Sequence, residues 1–200
     1  MNNISSNLSV LNVGIIGCGN IFPAYAKGCS IFRALRLTCC ADIDPAAAQK
    51  RADEYQIAAR TVDELLADPE VGLVINLTVP KVHAEVSLRA LEAGKHVYSE
   101  KPLALGTQDG RAILELARKK NLRVGCAPDT ILGAGLQTSR KLIDDGWIGR
   151  PVAGTAFMLG NGPESWHPNP AFFYAQGGGP MLDMGPYYIT ALVHLLGPVA

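Results

Sequence analysis

Short apolar runs alternate with longer stretches in which apolar residues recur three and four positions apart. The runs rich in β-branched and aliphatic residues are "LNVGIIG" (11–17), "LRLTCCAD" (35–42), "GLVINLT" (72–78), "KHVYSE" (95–100) and "LRVGCAP" (122–128). A weaker one, "IAAR", lies at 57–60. Between them, "PAYAKGCSIFRA", "PAAAQKRADEY", "VHAEVSLRALEAG" and "TQDGRAILELARKKN" carry helical periodicity, and "VDELLAD" is a shorter piece of the same kind. Near-continuous apolar strands separated by helices predict a parallel sheet covered on both faces, with right-handed crossovers. Local punctuation agrees: Asp44 precedes Pro45 as an N-cap, Gly94 closes the fourth helix, and Thr107 is placed to cap the fifth.

After Asp129 the texture changes. "LQTSRKLIDDGWIGRP" reads as a helix stopped by Gly146, and "VAGTAFML" (152–159) as a strand. A loop rich in Gly, Pro, Asn and aromatic residues follows, and then one last helix, "MLDMGPYYITALVHLL". The expected fold class is therefore α/β. A doubly wound domain over 10–127 is followed at 128–200 by the beginning of a second α/β domain. A lone strand leaves both its edges unpaired, so the expectation is that these residues form the front part of a longer polypeptide. The polar stretch 1–9 reads as a tail.

Composition narrows the function. Lys and Arg balance Asp and Glu at 18 each, and no basic cluster exceeds "RKK" at 118–120, so a nucleic-acid or membrane-surface role has no electrostatic support. The apolar runs are far too short to span a bilayer. Cysteines 18, 29, 39, 40 and 126 show no paired spacing, and the first residues lack the features of a signal peptide, which points to a reducing cytoplasm. The scattered histidines offer no metal-ligand spacing, and neither a nucleophile elbow nor a Walker-type phosphate loop is present.

The chemistry gathers at strand ends. "GIIGCGNIF" puts G-x-G-x-x between a strand and a helix: Gly17 for the turn, Gly19 for close approach of a pyrophosphate to the helix N-terminus. The third motif position is Phe22 rather than Gly or Ala, so its side chain must point elsewhere or push the helix aside. Asp42 ends the second strand, 25 residues after Gly17, where a carboxylate accepts the ribose hydroxyls of NAD and repels the 2′-phosphate of NADP. Asp42 and Asp44 could both cap the next helix; the reading adopted is that Asp44 caps and Asp42 serves the ribose. In "SEKPLA", proline holds Lys101 at a fixed exit from the fifth strand, an odd place for lysine unless the side chain is aimed.

In order, "GIIGCGNI", "ADIDP", T-x-P-x-x-H at 78–83, "SEKPLA" and "GGGPMLDMGPYY" make residues 12–200 resemble the glucose-fructose oxidoreductase, inositol dehydrogenase and MocA family. The resemblance implies a Rossmann domain followed by an α/β domain whose open sheet mediates homo-oligomers, and a small sugar-like or cyclitol substrate. It implies NAD, with NADP possible, held by Gly17, Gly19, Asn20, Ile21, Asp42, Thr78, Pro80, His83, Glu100 and Lys101. His83 taken alone reads equally as a helix-start residue with no chemical role. By the same resemblance, Lys101, Asp183 and Tyr187 are the catalytic group, with tyrosine where histidine is common. They share the substrate with Trp166 and His167, although His167 reads somewhat better as a loop anchor. His194 falls near the same helix face and reads as a packing residue. The Lys101–Pro102 bond is expected to be cis. The leading activity is hydride transfer at a hydroxyl-bearing carbon. The same fold and cofactor would serve a glycosidase that oxidises transiently, without net NADH, or a non-catalytic dinucleotide sensor.

Overall fold

The computed structural model describes residues 10–198, the side chain of Phe172 excepted; the stretch 1–9, expected to be a tail, lies outside the described residues. Two compact units divide at Gly125 and Cys126. The first is built on six strands: β1 (Leu11–Ile16), β2 (Leu35–Ala41), β3 (Ala58–Arg60), β4 (Leu73–Asn76), β5 (His96–Ser99) and β6 (Val124–Cys126). Their order is β3-β2-β1-β4-β5-β6, and the β1–β2, β1–β4, β2–β3 and β4–β5 pairs are parallel. This is the doubly wound arrangement, in which the strand order reverses at the β1/β4 seam and ligands bind beyond the carboxyl ends of the strands there.

The period of two along each strand sorts the core into two layers. Val13, Ile15, Cys40 and Ile75 point to one face and meet Phe22, Ala26, Ala48 and Ala52, from α1 (Phe22–Ile31) and α2 (Pro45–Tyr55). Ile16, Cys39, Ala41, Val74 and Val97 point to the other. There they meet Leu65 of α3 (Val62–Ala67), Ala90 and Leu91 of α4 (His83–Glu92), and Ile113 of α5 (Thr107–Lys119). Ile15, Leu65, Leu91 and Ile113 are fully buried, each contributing about 1.5–3 kcal/mol. Both strand faces are thereby covered, which is why consecutive residues such as Ile15 and Ile16 or Val74 and Ile75 are both apolar.

Helix ends follow local chemistry. Asp44 caps α2 by accepting from the Ala46 N–H at 2.9 Å. Thr61 and Glu64 form a reciprocal capping box on α3. Gly94 closes α4 with φ of +78°. The fifth helix corrects the expectation: Thr107 is already its first helical residue, so Gly106 occupies the cap and no side chain accepts there.

The second unit holds α6 (Ala134–Asp144), α7 (Pro180–Asp183) and α8 (Gly185–Leu196). Arg140 of α6 donates to the carbonyls of His194 and Leu195, at 2.9 and 3.2 Å, where the last turn of α8 has no internal donors. Two expectations fail in this unit. Residues 152–159 form no strand, because a strand exists only through its ladder and the second unit offers no partner among the described residues. Val152, Phe157 and Leu159 of that segment are exposed. The single helix expected from residue 181 is instead α7 and α8. Pro186 has no N–H to donate to the Leu182 carbonyl and its ring would collide with that carbonyl, so the helix breaks at Met184.

Candidate active site

The turn leaving β1 is shaped by contacts that only glycine allows. Gly17 has φ of +105°, and a Cβ on it would lie 2.6 Å from the backbone carbonyl of Leu77, beyond β4. Gly19 is different: a Cβ there would meet nothing within 4 Å among the described residues. Its smallness serves no protein neighbour and suits the approach of a ligand. Among the described residues, the N–H groups of Gly19, Asn20 and Ile21 meet no protein acceptor, leaving donors for an anion at the start of α1.

Asp42 stands beside this turn at the end of β2. One carboxylate oxygen accepts from the Cys18 N–H at 2.7 Å and the other from the Asp44 N–H at 2.9 Å. A carboxylate has about four acceptor directions, so capacity for ribose hydroxyls remains. Phe22, in the third motif position, is fully buried and turned toward α2, with its ring 5.4 Å from that of Tyr55. It therefore fills the layer between the sheet and α2, where a large side chain is accommodated. The Cys18 thiol is pushed far above the ordinary thiol range by its hydrogen bond with Cys40 and by burial, which removes it as a nucleophile.

Beyond β4, Asn76 is buried and organises the loop. Its Oδ1 accepts from the Thr78 hydroxyl at 2.6 Å, and its Nδ2 donates to the His83 carbonyl and the Ser87 hydroxyl at 2.9 and 3.1 Å. Pro80 opens a 3-10 turn that leads into α4. His83 lies at the start of α4. It is buried, with Nδ1 2.7 Å from the Pro102 carbonyl and Nε2 2.9 Å from the Thr78 carbonyl. Both ring nitrogens thus join the loops after β4 and β5.

Beyond β5, the Glu100 carboxylate accepts from the Tyr25 hydroxyl at 2.7 Å and from the Lys101 backbone N–H at 2.9 Å. Lys101–Pro102 is cis, as the resemblance implied. Gly17, Asp42, Thr78, Glu100 and Lys101 thus follow four neighbouring strands and share one edge of the sheet. A cavity of about 500 Å³ opens at that edge, lined by Gly17, Gly19, Asp42, Ile43, Thr78 and Val79 among others.

In the second unit, Asp183 ends α7 and Tyr187 lies in the first turn of α8, both half-buried. They belong to separate helical pieces rather than one continuous face. Trp166 is exposed and forms an edge-on aromatic cluster with His167 and Phe173, centroids 4.8–5.8 Å apart. The His167 Nδ1 accepts from the Asn169 N–H at 3.0 Å, which anchors the loop. His194 packs with its Nε2 buried and, among the described residues, without a hydrogen-bond partner.

Three positions escaped the reading of the sequence. Asn76 left a signal, a polar residue inside an apolar strand. Arg51, which donates to the carbonyls of the glycine turn, and Tyr25 left none, since each acts on residues 32 to 75 positions away. Among the described residues, no group of three or more His, Cys, Asp or Glu is placed to hold a metal, and no helix is long and apolar enough to cross a membrane.

Residues 11–127 match the oxidoreductase family with an NAD-binding Rossmann fold, and residues 136–200 match the GFO/IDH/MocA C-terminal domain. An inositol 2-dehydrogenase of Rhizobium meliloti is 32% identical over 136 residues, covering 68% of this chain and 41% of its own length. A 1,5-anhydro-D-fructose reductase of Ensifer adhaerens is 38% identical over 97 residues, covering 48% and 29%. The chain thus spans less than half the length of these curated relatives. A biliverdin reductase from Synechocystis, solved with biliverdin and NADP+, superposes with a TM-score of 0.72 at 27% identity, covering 95% of this chain and 59% of that one. The matches together span nearly the whole of the described residues, and the chain belongs to the Gfo/Idh/MocA oxidoreductases, its first unit being their NAD-binding Rossmann domain.

Proposed function

We propose that the protein transfers hydride between a nicotinamide cofactor and a hydroxyl-bearing carbon of a sugar-like or cyclitol substrate. The observation that carries this reading is the shared sheet edge: the Glu100–Lys101–Pro102 exit of β5 opens on the same side as the glycine turn and Asp42. Glycine-turn amides and Asp42 bind the dinucleotide, with Asp42 favouring NAD over NADP. A bound nicotinamide supplies the hydride acceptor, or in reverse the donor. As the C–H hydride leaves the substrate carbon, the hydroxyl proton passes to the Lys101 side chain and a carbonyl forms. Asp183 orients the lysine or the substrate, and Tyr187 donates to, or relays from, the same oxygen. Trp166 offers an aromatic face to sugar C–H groups, and His167 holds its loop. The relatives named for inositol and anhydrofructose support a polyol or sugar-like substrate.

The test is a panel of sugars and cyclitols with the full-length protein, followed by NADH absorbance. On an accepted substrate, Lys101→Ala and Asp183→Ala each lose about 10²-fold or more in turnover, the scale of a general acid–base group. Tyr187→Phe loses less if lysine is the base. Near wild-type turnover in Lys101→Ala would sink the mechanism.

We also infer a cytoplasmic homo-oligomer. The buried thiols of Cys18, Cys29, Cys39 and Cys40 suit a reducing compartment, and the exposed Val152, Phe157 and Leu159 supply apolar surface for subunit contact. A single-chain mass by light scattering of the full-length protein would remove the oligomer.

A further inference from the structure

We propose that Arg51 is a positioning residue for the dinucleotide, setting the direction of the glycine-turn amides from behind. Its Nε donates to the Cys18 carbonyl at 3.3 Å and one terminal nitrogen donates to the Gly19 carbonyl at 3.0 Å. The other terminal nitrogen pairs with Glu54 at 2.7 Å, and the guanidinium lies over the Phe22 ring, 5.5 Å from its centroid. Four contacts therefore fix the fork.

The consequence follows from the planarity of the peptide unit. In a trans peptide the C=O of one residue and the N–H of the next lie in one plane and point in opposite directions. Drawing the Cys18 and Gly19 carbonyls onto Arg51 therefore turns the N–H groups of Gly19 and Asn20 away from it. Those are two of the donors that meet no protein acceptor, and Gly19 lines the cavity. Asp42 fixes the preceding unit by holding the Cys18 N–H. Three consecutive peptide planes are thus set by two side chains of opposite charge, Asp42 and Arg51, acting from β2 and α2.

Geometry is the larger part of this effect. Glu54 offsets the guanidinium charge on the spot, so Arg51 contributes little net field at the anion. The third motif position also gains a purpose. A small residue there would leave the guanidinium without the ring on which it rests, whereas Phe22 supports it by a cation–π contact. Lysine could not replace the fork, because a single ammonium on a flexible stem does not hold two carbonyls in fixed directions.

The proposal rests on dinucleotide binding by this domain, and titration of NADH into the chain, followed by its fluorescence, separates the two. Arg51→Met and Arg51→Lys should each weaken NADH at least about tenfold, the scale of one charge-assisted hydrogen bond. Phe22→Leu should weaken it by a few fold. The ligand-free amide resonances of Gly19 and Asn20 should move in the Arg51 variants, while those of α5 stay in place. If Arg51→Met fails to fold, Arg51→Lys and Phe22→Leu carry the test. NADH affinity within twofold of wild type in Arg51→Lys would overturn the clamp, leaving charge alone as the contribution. Absence of NADH binding in the wild-type chain would instead defeat the cofactor reading, and the clamp with it.

Discussion

Gly17 and Gly19 sit two residues apart in one turn, yet alanine at each should damage a different property. At Gly17 an alanine must adopt φ of +105°, a region that costs an L-residue about 1–2 kcal/mol. Its Cβ would also stand 2.6 Å from the carbonyl carbon and oxygen of Leu77 and 2.8 Å from the Thr78 nitrogen. That backbone cannot easily yield. Leu77 donates to the Ile16 carbonyl at 2.8 Å, and Thr78 is tied to Asn76. Overpacking of this kind costs about 1–3 kcal/mol, so Gly17→Ala should lose about 2–5 kcal/mol. For a chain of this size about 2–4 °C accompanies each kcal/mol, giving a fall in Tm on the order of 10 °C. At Gly19 the added methyl meets no protein atom and φ is not left-handed. Stability should stay within about 0.5–1 kcal/mol of wild type, the range of an unfolded-state entropy effect. NADH affinity should nevertheless fall at least about tenfold, because the methyl fills the space of the approaching diphosphate. Thermal melts and NADH titrations on both variants decide the matter. A Gly17→Ala protein that melts with wild type, or a Gly19→Ala protein that binds NADH normally, would refute the reasoning.

Asp42→Ser should shift the ratio of NADH to NADPH affinity toward NADPH while weakening both, since the carboxylate also holds the Cys18 amide; tighter NADPH binding by the wild type would contradict the ribose assignment. Glu64 is held below the ordinary carboxylate range by the Thr61 N–H it accepts in the capping box. Its folded pKa is depressed, so its stabilising effect is present above the unfolded value of about 4.3 and fades as pH falls through the folded one. Denaturant titrations should find Glu64→Gln less stable than wild type at pH 6, with the gap closing toward pH 3; an unchanged gap would count against the capping role.

What could be read in the chain was whatever neighbours decide. The apolar strands, the Asp44–Pro45 helix start and the Gly94 stop depend on residues within a few positions, and the structure reproduces them. The failures have two origins. Residues 152–159 have strand composition, but a strand needs a partner that composition does not supply. Pro186 stood in plain view, and its missing N–H breaks the helix that was expected to carry Asp183 and Tyr187 together. The supporting shell of the site was out of reach for another reason. Arg51 acts through backbone carbonyls, and a carbonyl is the same in every residue, so no motif marks its partner.

The Tyr25–Glu100 bond gives α1 the character of a ruler. Ile21, whose amide is one of the donors proposed for the diphosphate, and Tyr25, which holds the Glu100 carboxylate, are four residues apart on or beside one helix, a rise of about 6 Å. The spacing between the grip on the diphosphate and the carboxylate proposed for the nicotinamide end is therefore measured by a single helical turn. Loops of different length after β4 or β5 can reshape the walls of the cleft without altering that measure. One residue added to the first turn of α1 would swing Tyr25 by about 100° and break its bond to Glu100. Tolerance to insertion should thus be high around the cleft and absent along this one short span.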